Sequence, residues 1–114
     1  MDRMNGYQNL IKIILSEYVE LDRRQPTDGV DYLFVADDER GHYFWLNLGW
    51  KNGKRINAET VYVRLLDGKI WIETDWTENG IAEDLIAAGV PEDDIVLAFQ
   101  PPRIRHLVEL EKAA

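Results

Sequence analysis

The sequence predicts an α+β fold: an N-terminal helix, a four-stranded antiparallel meander, a second helix and a fifth strand. Apolar residues recur at helical spacing over residues 5–21, and four β-rich segments follow between residues 32 and 74. The turns between these segments are too short for the crossovers that parallel strands need, so neighbouring strands must run antiparallel. A chain of 114 residues can bury one core, so we expect residues 1–114 to form a single domain.

The first helix is predicted over residues 5–21, because its apolar residues follow the spacing of one buried helix face. This stripe contains Tyr7, Leu10, Ile11, Ile14, Leu15, Tyr18 and Leu21. Ile13 lies off the stripe, so we expect it to be exposed and available for a contact with another subunit. Pro26 and Gly29 then mark a connecting loop over residues 23–29.

The four strands of the meander are separated by residues that favour turns. The predicted strands are residues 32–36, 42–50, 55–66 and 69–74. Gly41 suits a left-handed position in the first turn. Asn52-Gly53 and Asp67-Gly68 favour type I′ hairpins, because Gly accepts the positive φ that such a turn requires.

The fourth strand carries apolar side chains on both faces. Strand periodicity places Ile70, Ile72 and Thr74 on one face, and Trp71 with Glu73 on the other. A sheet that is apolar on both sides has to cover its second face, either with its own helices or with another subunit. The two-faced aromatic sheet therefore predicts a homodimer.

The second helix starts soon after the fourth strand. Asp75, with Glu78 three residues later, and Thr77 are alternative N-caps. The predicted buried stripe contains Ile81, Ala82, Leu85, Ile86 and Ala88. Gly89 suits the position after the helix C-terminus, and Pro91 prevents continuation of the helix.

The fifth strand is predicted over residues 95–99. Pro101-Pro102 ends it, because neither proline has an amide hydrogen to donate. Residues 106–110 are expected to form a last short strand or a turn, and residues 111–114 are expected to fray.

The chain is acidic, with a formal net charge of −8 and a sequence pI near 4.7. An acidic surface repels phosphate, so we expect no tight, unaided binding to DNA or RNA, whereas docking on a basic protein is compatible with this charge. The absence of cysteine excludes disulfides and thiolate metal sites and fits a reducing compartment. The sequence shows neither a signal peptide nor an apolar run of membrane-spanning length, so we expect a cytoplasmic protein without membrane contact.

The sequence shows no motif for a metal or a cofactor, and we expect neither. Its two histidines, His42 and His106, lack the spacing of a metal site and are expected to be structural or exposed. The acidic turn over residues 37–39 lacks the spacing of a calcium loop, which favours a solvated turn. Nucleophile elbows, phosphate loops and dinucleotide fingerprints are also missing.

Glu73, Asp75 and Glu78 form an acidic cluster after the fourth strand. Strand periodicity puts Glu73 and Asp75 on one face, close enough for general acid–base chemistry if their pKa values differ. Capping of the second helix is a sufficient role for Asp75, and Glu78 favours the positive N-terminal end of that helix. We therefore expect a protein that is not an enzyme, and a small hydrolase using Glu73 and Asp75 is the weaker alternative.

Tryptophans and basic residues are the candidates for contacts with a partner or with a second copy of the chain. They are Trp50, Lys51, Arg55, Trp71, Trp76, Arg103 and Arg105. A basic hairpin tip beside Trp50 is able to touch nucleic acid or an acidic partner, and it equally suits solubility and protection of a strand edge. The second helix carries acidic charges only, which makes it a poor DNA-recognition helix.

The sequence resembles the XisI family over nearly its whole length. The residues that carry the resemblance are Asp67–Ile72, Asp75, Thr77-Glu78, Gly80–Ala82, Gly89–Pro91, Asp94–Leu97, Phe99 and Pro102, with Asp38–Arg40, His42-Tyr43, Gly49-Trp50 and Arg55-Ile56 upstream. XisI-like proteins are cyanobacterial controlling factors for excision of the fdxN element, a DNA segment that is removed during heterocyst development. The resemblance implies an accessory factor that works with a companion XisH-like protein, whereas the recombinase is a separate protein.

Sequence and resemblance together predict a non-enzymatic regulatory protein that controls excision of a DNA element by binding an XisH-like partner. The recombinase complex is a further candidate partner. An antitoxin-like subunit that inhibits a nuclease-like partner is the alternative from a different functional class.

Overall fold

The computed structural model describes residues 3–102, in which two α-helices pack against a mixed five-stranded sheet. The elements in chain order are α1 (Arg3–Arg24), β1 (Val30–Asp37), β2 (His42–Lys51), β3 (Lys54–Leu66), β4 (Lys69–Asp75), α2 (Ile81–Ala87), a 3-10 turn (Glu92–Asp94) and β5 (Ile95–Leu97). The predicted α+β class and the order of its elements are confirmed. The predictions for residues 106–110 and 111–114 lie outside the described residues.

The strand order in the sheet is β1-β2-β3-β4-β5. The first four strands form the predicted antiparallel meander, and β5 runs parallel to β4. The parallel pairing follows from the connection, because α2 carries the chain back to the end of the sheet at which β4 begins. The fifth strand ends at Leu97, earlier than predicted, where the amide of Gln100 donates to the Leu97 carbonyl in a turn.

Both two-residue hairpin turns have the geometry that their sequences predict. Asn52 and Gly53 have φ values of 52° and 76°, and Asp67 and Gly68 have values of 54° and 75°. Positive φ at both central residues is the requirement of a type I′ turn, whose twist matches that of the flanking strands. Gly41, with a φ of 78°, takes the predicted left-handed position between β1 and β2.

Helix α1 is longer than predicted, and it buries the predicted stripe except at its C-terminal end, where Val19 replaces Leu21. It continues to Arg24, because the first residue that opposes a helix is Pro26 and the basic last turn suits the negative end of the helix dipole. Its buried residues are Tyr7, Ile11, Leu15 and Val19, each four positions from the next. Leu21 lies off this row and is 55% exposed, contrary to the prediction, whereas Ile13 is 54% exposed, as predicted.

Both helices lie on the same face of the sheet, which we call the core face. The buried residues form one cluster, to which the sheet contributes Tyr43, Trp45, Val61, Val63, Ile70 and Ile72, and α2 contributes Ile81 and Leu85. Tyr18 of α1 stacks on Trp45 with ring centroids 5.5 Å apart and donates to Asp84 of α2 at 2.6 Å, so one side chain links three elements. Both helices of residues 3–102 therefore cover the core face, and neither of them covers the second face of the sheet.

Helix α2 begins later than either predicted N-cap allows. Its N-cap residue is Gly80, and its first helical residue is Ile81. Asp75 nevertheless contributes to this end, because its Oδ2 atom accepts the amide of Ile81 at 2.8 Å across the intervening turn. Thr77 supports the same turn, since its Oγ1 atom accepts the amide of Gly80 at 3.1 Å.

The C-terminus of α2 is confirmed at its predicted glycine. Gly89 has a φ of 103°, and its amide donates to the carbonyl of Ile86. The amide of Val90 donates to the carbonyl of Leu85, which completes a Schellman motif with the buried Val90 side chain as its apolar contact. The buried stripe is narrower than predicted, because Ile86 is 39% exposed and Ala88 is also exposed.

Two glycine substitutions provide a matched test of the backbone packing. A Cβ atom added at Gly49 would lie 1.9 Å from the backbone oxygen of Gly29, which cannot move without disrupting the β1–β2 pairing. We expect Gly49→Ala to lower the free energy of unfolding by about 3 kcal/mol or more, measured by urea denaturation.

Gly6→Ala is the control, because Gly6 lies within α1 with nothing within 4 Å of an added Cβ. It should raise the free energy of unfolding by about 0.5–1 kcal/mol, since Ala loses less backbone entropy than Gly in a helix. Equal stability of Gly49→Ala and the unmodified chain would contradict the close approach of β1 and β2.

Candidate interaction surface

The face of the sheet opposite the core face, which we call the outer face, carries many apolar side chains. They are Leu33, Val35, Phe44, Leu46, Leu48, Trp50, Tyr62 and Trp71, which alternate with core-face residues along β1–β4. Most are half-buried by their neighbours, but Val35 is 44% exposed and Trp50 is 58% exposed. Neither α1 nor α2 packs on this face, and a contiguous apolar surface of this kind is typical of a site that binds another protein.

Aromatic and ionic contacts fix the centre of the outer face. Tyr62 stacks on Phe44 with ring centroids 4.3 Å apart, and its hydroxyl oxygen lies 2.9 Å from His42 Nδ1. Arg64 donates to Glu73 at 2.9 Å. Both groups of contacts bridge neighbouring strands, so the side chains that a partner would meet are already ordered.

Trp50, Lys51 and Arg55 lie together at the tip of the β2–β3 hairpin. The Arg55 guanidinium lies 5.7 Å from the centre of the Trp50 ring, within the range of a cation–π contact. Arg55 also donates to the carbonyl of Gly49 at 3.2 Å, which holds its side chain along the hairpin. The tip is therefore an exposed aromatic and basic group with a defined geometry.

Trp71 and Trp76 lie away from that tip. Trp71 is half-buried on the outer face, and its indole nitrogen donates to the carbonyl of Leu66 at 3.1 Å. Trp76 is 80% exposed, and its amide donates to the carbonyl of Thr60 at 2.9 Å. Arg103 and Arg105 lie outside the described residues. The predicted contact residues that are described thus divide between the hairpin tip, the outer face and the turn after β4.

Strand β3 is longer than β4, so β4 covers only part of the β3 edge that faces it. Strand β4 pairs only with residues 61–66 of β3. Residues 54–59 pair with β2 on one side, and no strand of the described chain pairs with them on the other side. This edge was not predicted. The sequence carried a signal for it, since the predicted strand over 55–66 is much longer than the one over 69–74.

A β-bulge in β4 corrects the predicted faces of that strand. The register between β3 and β4 shifts between Tyr62 and Val63, which leaves Glu73 as an extra residue in β4. Thr74 then pairs with Tyr62 on the outer face, instead of sharing the core face with Ile72. Simple alternation cannot predict such an inserted residue.

The same bulge separates the two carboxylates that were candidates for acid–base chemistry. Asp75 pairs with the buried Val61 and therefore points to the core face, where it accepts the amide of Thr77 at 2.9 Å. Glu73 binds Arg64 on the outer face. The prediction that Glu73 and Asp75 share a face is therefore wrong, and each carboxylate has a structural partner of its own.

Residues 3–102 contain no group of three or more His, Cys, Asp or Glu side chains that could hold a metal ion. An open groove of about 370 Å³ between α1 and α2 is lined by Ile14, Glu17, Tyr18, Leu21, Asp84 and Ala88. Its Asp84 carboxylate already accepts the Tyr18 hydroxyl. No helix in the described part of the chain is long and apolar enough to cross a membrane.

Comparison with known proteins decides the family. A family model described as XisI protein matches residues 1–111. The chain belongs to the XisI family. The match confirms the resemblance to this family that Asp67–Ile72 and the other matching residues indicate. No curated protein matches the chain.

Two solved structures are similar to this XisI chain over most of its length. An XisI-like protein from Anabaena variabilis ATCC 29413 is 36% identical, with a TM-score of 0.85 over 91% of this chain and 94% of that one. The fdxN element excision controlling factor XisI from Anabaena variabilis ATCC 29413 is also 36% identical, with a TM-score of 0.81 over 91% of this chain and 99% of that one. The predicted XisI-like fold is thus confirmed.

Three tyrosine hydroxyls tie the core of this XisI chain to its loops and to α2. The pairs are Tyr7 with Asp94, Tyr18 with Asp84 at 2.6 Å and Tyr43 with Asp38 at 2.8 Å. The hydrogen bond to Asp84 raises the pKa of Tyr18 to about 12, because a carboxylate acceptor favours the protonated phenol. Burial raises the pKa of Tyr7 and of Tyr43. These titratable groups stabilise the fold and do not form a reactive cluster.

The raised pKa of Tyr18 predicts a loss of stability at alkaline pH. A group with a raised folded pKa contributes fully below its unfolded value near 10, and this contribution is lost as the pH rises toward 12. Tyr18→Phe should therefore be less stable than the unmodified chain at neutral pH but lose less stability over this window. Urea denaturation at successive pH values measures both slopes, and identical slopes would contradict the Tyr18–Asp84 contact.

The structural roles of the two carboxylates predict different costs for removing them. Asp75→Ala should lower the free energy of unfolding by about 2 kcal/mol, because the amides of Thr77 and Ile81 lose their acceptor. Glu73→Gln should cost about 0.5–1 kcal/mol, since it weakens only a partly exposed ion pair with Arg64. Urea denaturation gives both values, and the reverse order would argue against these roles.

Proposed function

We propose that this chain is a non-enzymatic, cytoplasmic accessory factor in the control of DNA element excision, and that it acts by binding an XisH-like protein. Membership of the XisI family supports the proposal, because a structure similar to the chain is named as the fdxN element excision controlling factor XisI. The system is one of the kind that cyanobacteria use during heterocyst development. The recombinase complex is a further partner of the assembled factor, and the factor itself is a homodimer.

The observation that carries the proposal is the apolar outer face. Val35 and Trp50 expose large apolar surfaces on this face, and both helices of residues 3–102 pack on the opposite face. The Phe44–Tyr62 stack and the Arg64–Glu73 ion pair are already formed. A partner that docks on this face therefore buries apolar area without a large entropic cost of ordering side chains.

The charges favour a protein partner over direct binding to DNA. The net charge of −8 opposes the phosphate contacts that supply non-specific affinity for nucleic acids. On the outer face Arg64 is neutralised by Glu73 at 2.9 Å, so it is not available for a phosphate. The three basic residues at the hairpin tip, Lys51, Lys54 and Arg55, form only a small patch.

A charged residue on the β1 side of the outer face should disrupt the interaction with the partner. We expect Val35→Arg to weaken capture of a co-expressed XisH-like protein about tenfold or more, because it buries a cation in an apolar contact. Titration of the partner onto immobilised chain gives the dissociation constant for each variant.

Ile13→Arg is the matched control, because Ile13 is a similarly exposed β-branched residue on the solvent side of α1. It should leave the dissociation constant unchanged. Failure of the unmodified chain to form any complex at micromolar concentration would contradict the proposal, and so would equal effects of the two substitutions.

The same face would also serve an antitoxin-like subunit that inhibits a nuclease-like partner. Expression of the XisH-like protein without this chain separates the two functions. Growth without toxicity, together with excision that requires both proteins, supports the accessory role. Toxicity that this chain relieves, with excision unaffected, would overturn it.

A further inference from the structure

We propose that two copies of this chain pair through the exposed edge of β3, residues 54–59, to form one continuous sheet. No strand within residues 3–102 pairs with this edge, and its side chains are complementary to those of a second copy in antiparallel orientation. The inference deepens the homodimer that is part of the proposed function, and it assigns the interface to a strand edge rather than to the outer face.

The hydrogen-bonding direction along this edge follows from the β2–β3 register. The amide of Trp50 donates to Gly29 in the turn before β1, so the backbone polar groups of Trp50 point away from β3. Trp50 therefore forms a non-hydrogen-bonded pair with Arg55. In a pair of this kind the backbone amide and carbonyl of each residue point away from the other strand. Arg55 therefore points its amide and carbonyl toward the exposed edge, and alternation extends this to Asn57 and Glu59.

These three residues form a sequence that is complementary to itself. A two-fold axis at Asn57 places Arg55 of one copy opposite Glu59 of the other, and the symmetry repeats the pair. Arg55, Asn57 and Glu59, whose backbone groups point toward the edge, then each form a hydrogen-bonded pair with a residue of the other copy. This gives about six interchain backbone hydrogen bonds in an antiparallel ladder. Opposite charges directly across such a ladder stabilise it, whereas like charges destabilise it.

The residues between these three, Ile56 and Ala58, agree with the same register. Ile56 of one copy lies opposite Ala58 of the second copy, so apolar side chains meet on the face of the ladder opposite to Arg55 and Glu59. Strand edges that avoid association carry prolines, inward-pointing charges or like charges. Residues 54–59 contain no proline, and their one acid, Glu59, matches the base Arg55, while the second base, Lys54, lies at the end of the segment. A different register by one residue would turn the amides of one copy away from the edge of the other.

The predicted contact residues flank this edge. Trp50 and Lys51 lie on the paired strand beside Arg55, at one end of it. Trp76 lies at the other end, because its amide donates to Thr60, and its ring is 80% exposed. In the dimer the hairpin tip of one copy reaches the Trp76 ring of the other, which extends the contact beyond the backbone ladder. The outer faces of both copies remain open on one side of the joined sheet.

Charge reversal and its repair test the register. Light scattering of the full chain over a wide concentration range should give a mass that approaches twice 13.3 kDa. Glu59→Arg should raise the dimer dissociation constant about tenfold or more, because Arg55 then faces a like charge. The double variant Arg55→Glu with Glu59→Arg should restore dimerisation, and Glu17→Arg, the same charge change on an exposed site of α1, should have no effect.

Asn57→Pro tests the backbone ladder without relying on charge. The Asn57 amide points away from β2, so a proline there removes no hydrogen bond of the β2–β3 ladder but removes two at the centre of the interface. The variant should be monomeric while its circular dichroism spectrum stays unchanged. If the variant unfolds, the charge-swap series decides the question alone.

Three results would overturn the proposal. One is a 13.3 kDa monomer at every concentration of the unmodified chain. Another is a dimer that persists in both Glu59→Arg and Asn57→Pro, and the third is a double variant that stays as weak as Glu59→Arg. Because all these measurements use the isolated chain, their failure is distinguishable from failure of the XisH-like partner to bind.

Discussion

The packing of both helices on the core face determines what the rest of the sheet is able to do. Helix α1 buries four residues at four-residue spacing against the sheet, and Tyr18 joins it both to Trp45 and to Asp84. With α2 held on the same side, the described chain has no element left for the opposite face. The apolar residues of that face are therefore available for association with another protein.

The unequal lengths of β3 and β4 add a second open surface. Since β4 meets only residues 61–66, no strand within residues 3–102 covers the edge of the distal half of β3, next to the outer face. A face and an edge differ in what they recognise, because a face buries apolar area and an edge pairs backbone groups in one register. One small chain is thereby able to associate with itself and with a different protein at the same time.

Local sequence signals predicted local structure well, and long-range pairing explains what they missed. Asn52-Gly53 and Asp67-Gly68 specify their turns through the φ that glycine permits, so both hairpins were predictable. The bulge at Glu73 was not, because it depends on how β3 and β4 align rather than on either strand alone. The family motifs identified the fold and strand periodicity predicted two apolar faces, whereas the face that the helices leave uncovered became apparent only once both helices were placed.

Hydroxyl-radical footprinting of the complex with the XisH-like protein is the most direct test of the central claim that this protein acts through its outer face. Oxidation of Val35 and Trp50 should fall on complex formation, while oxidation of the helix residues Ile13 and Leu21, which are similarly exposed, should stay unchanged. Protection of Ile13 and Leu21 with no change at Val35 would show that the partner binds the helical side and not the outer face.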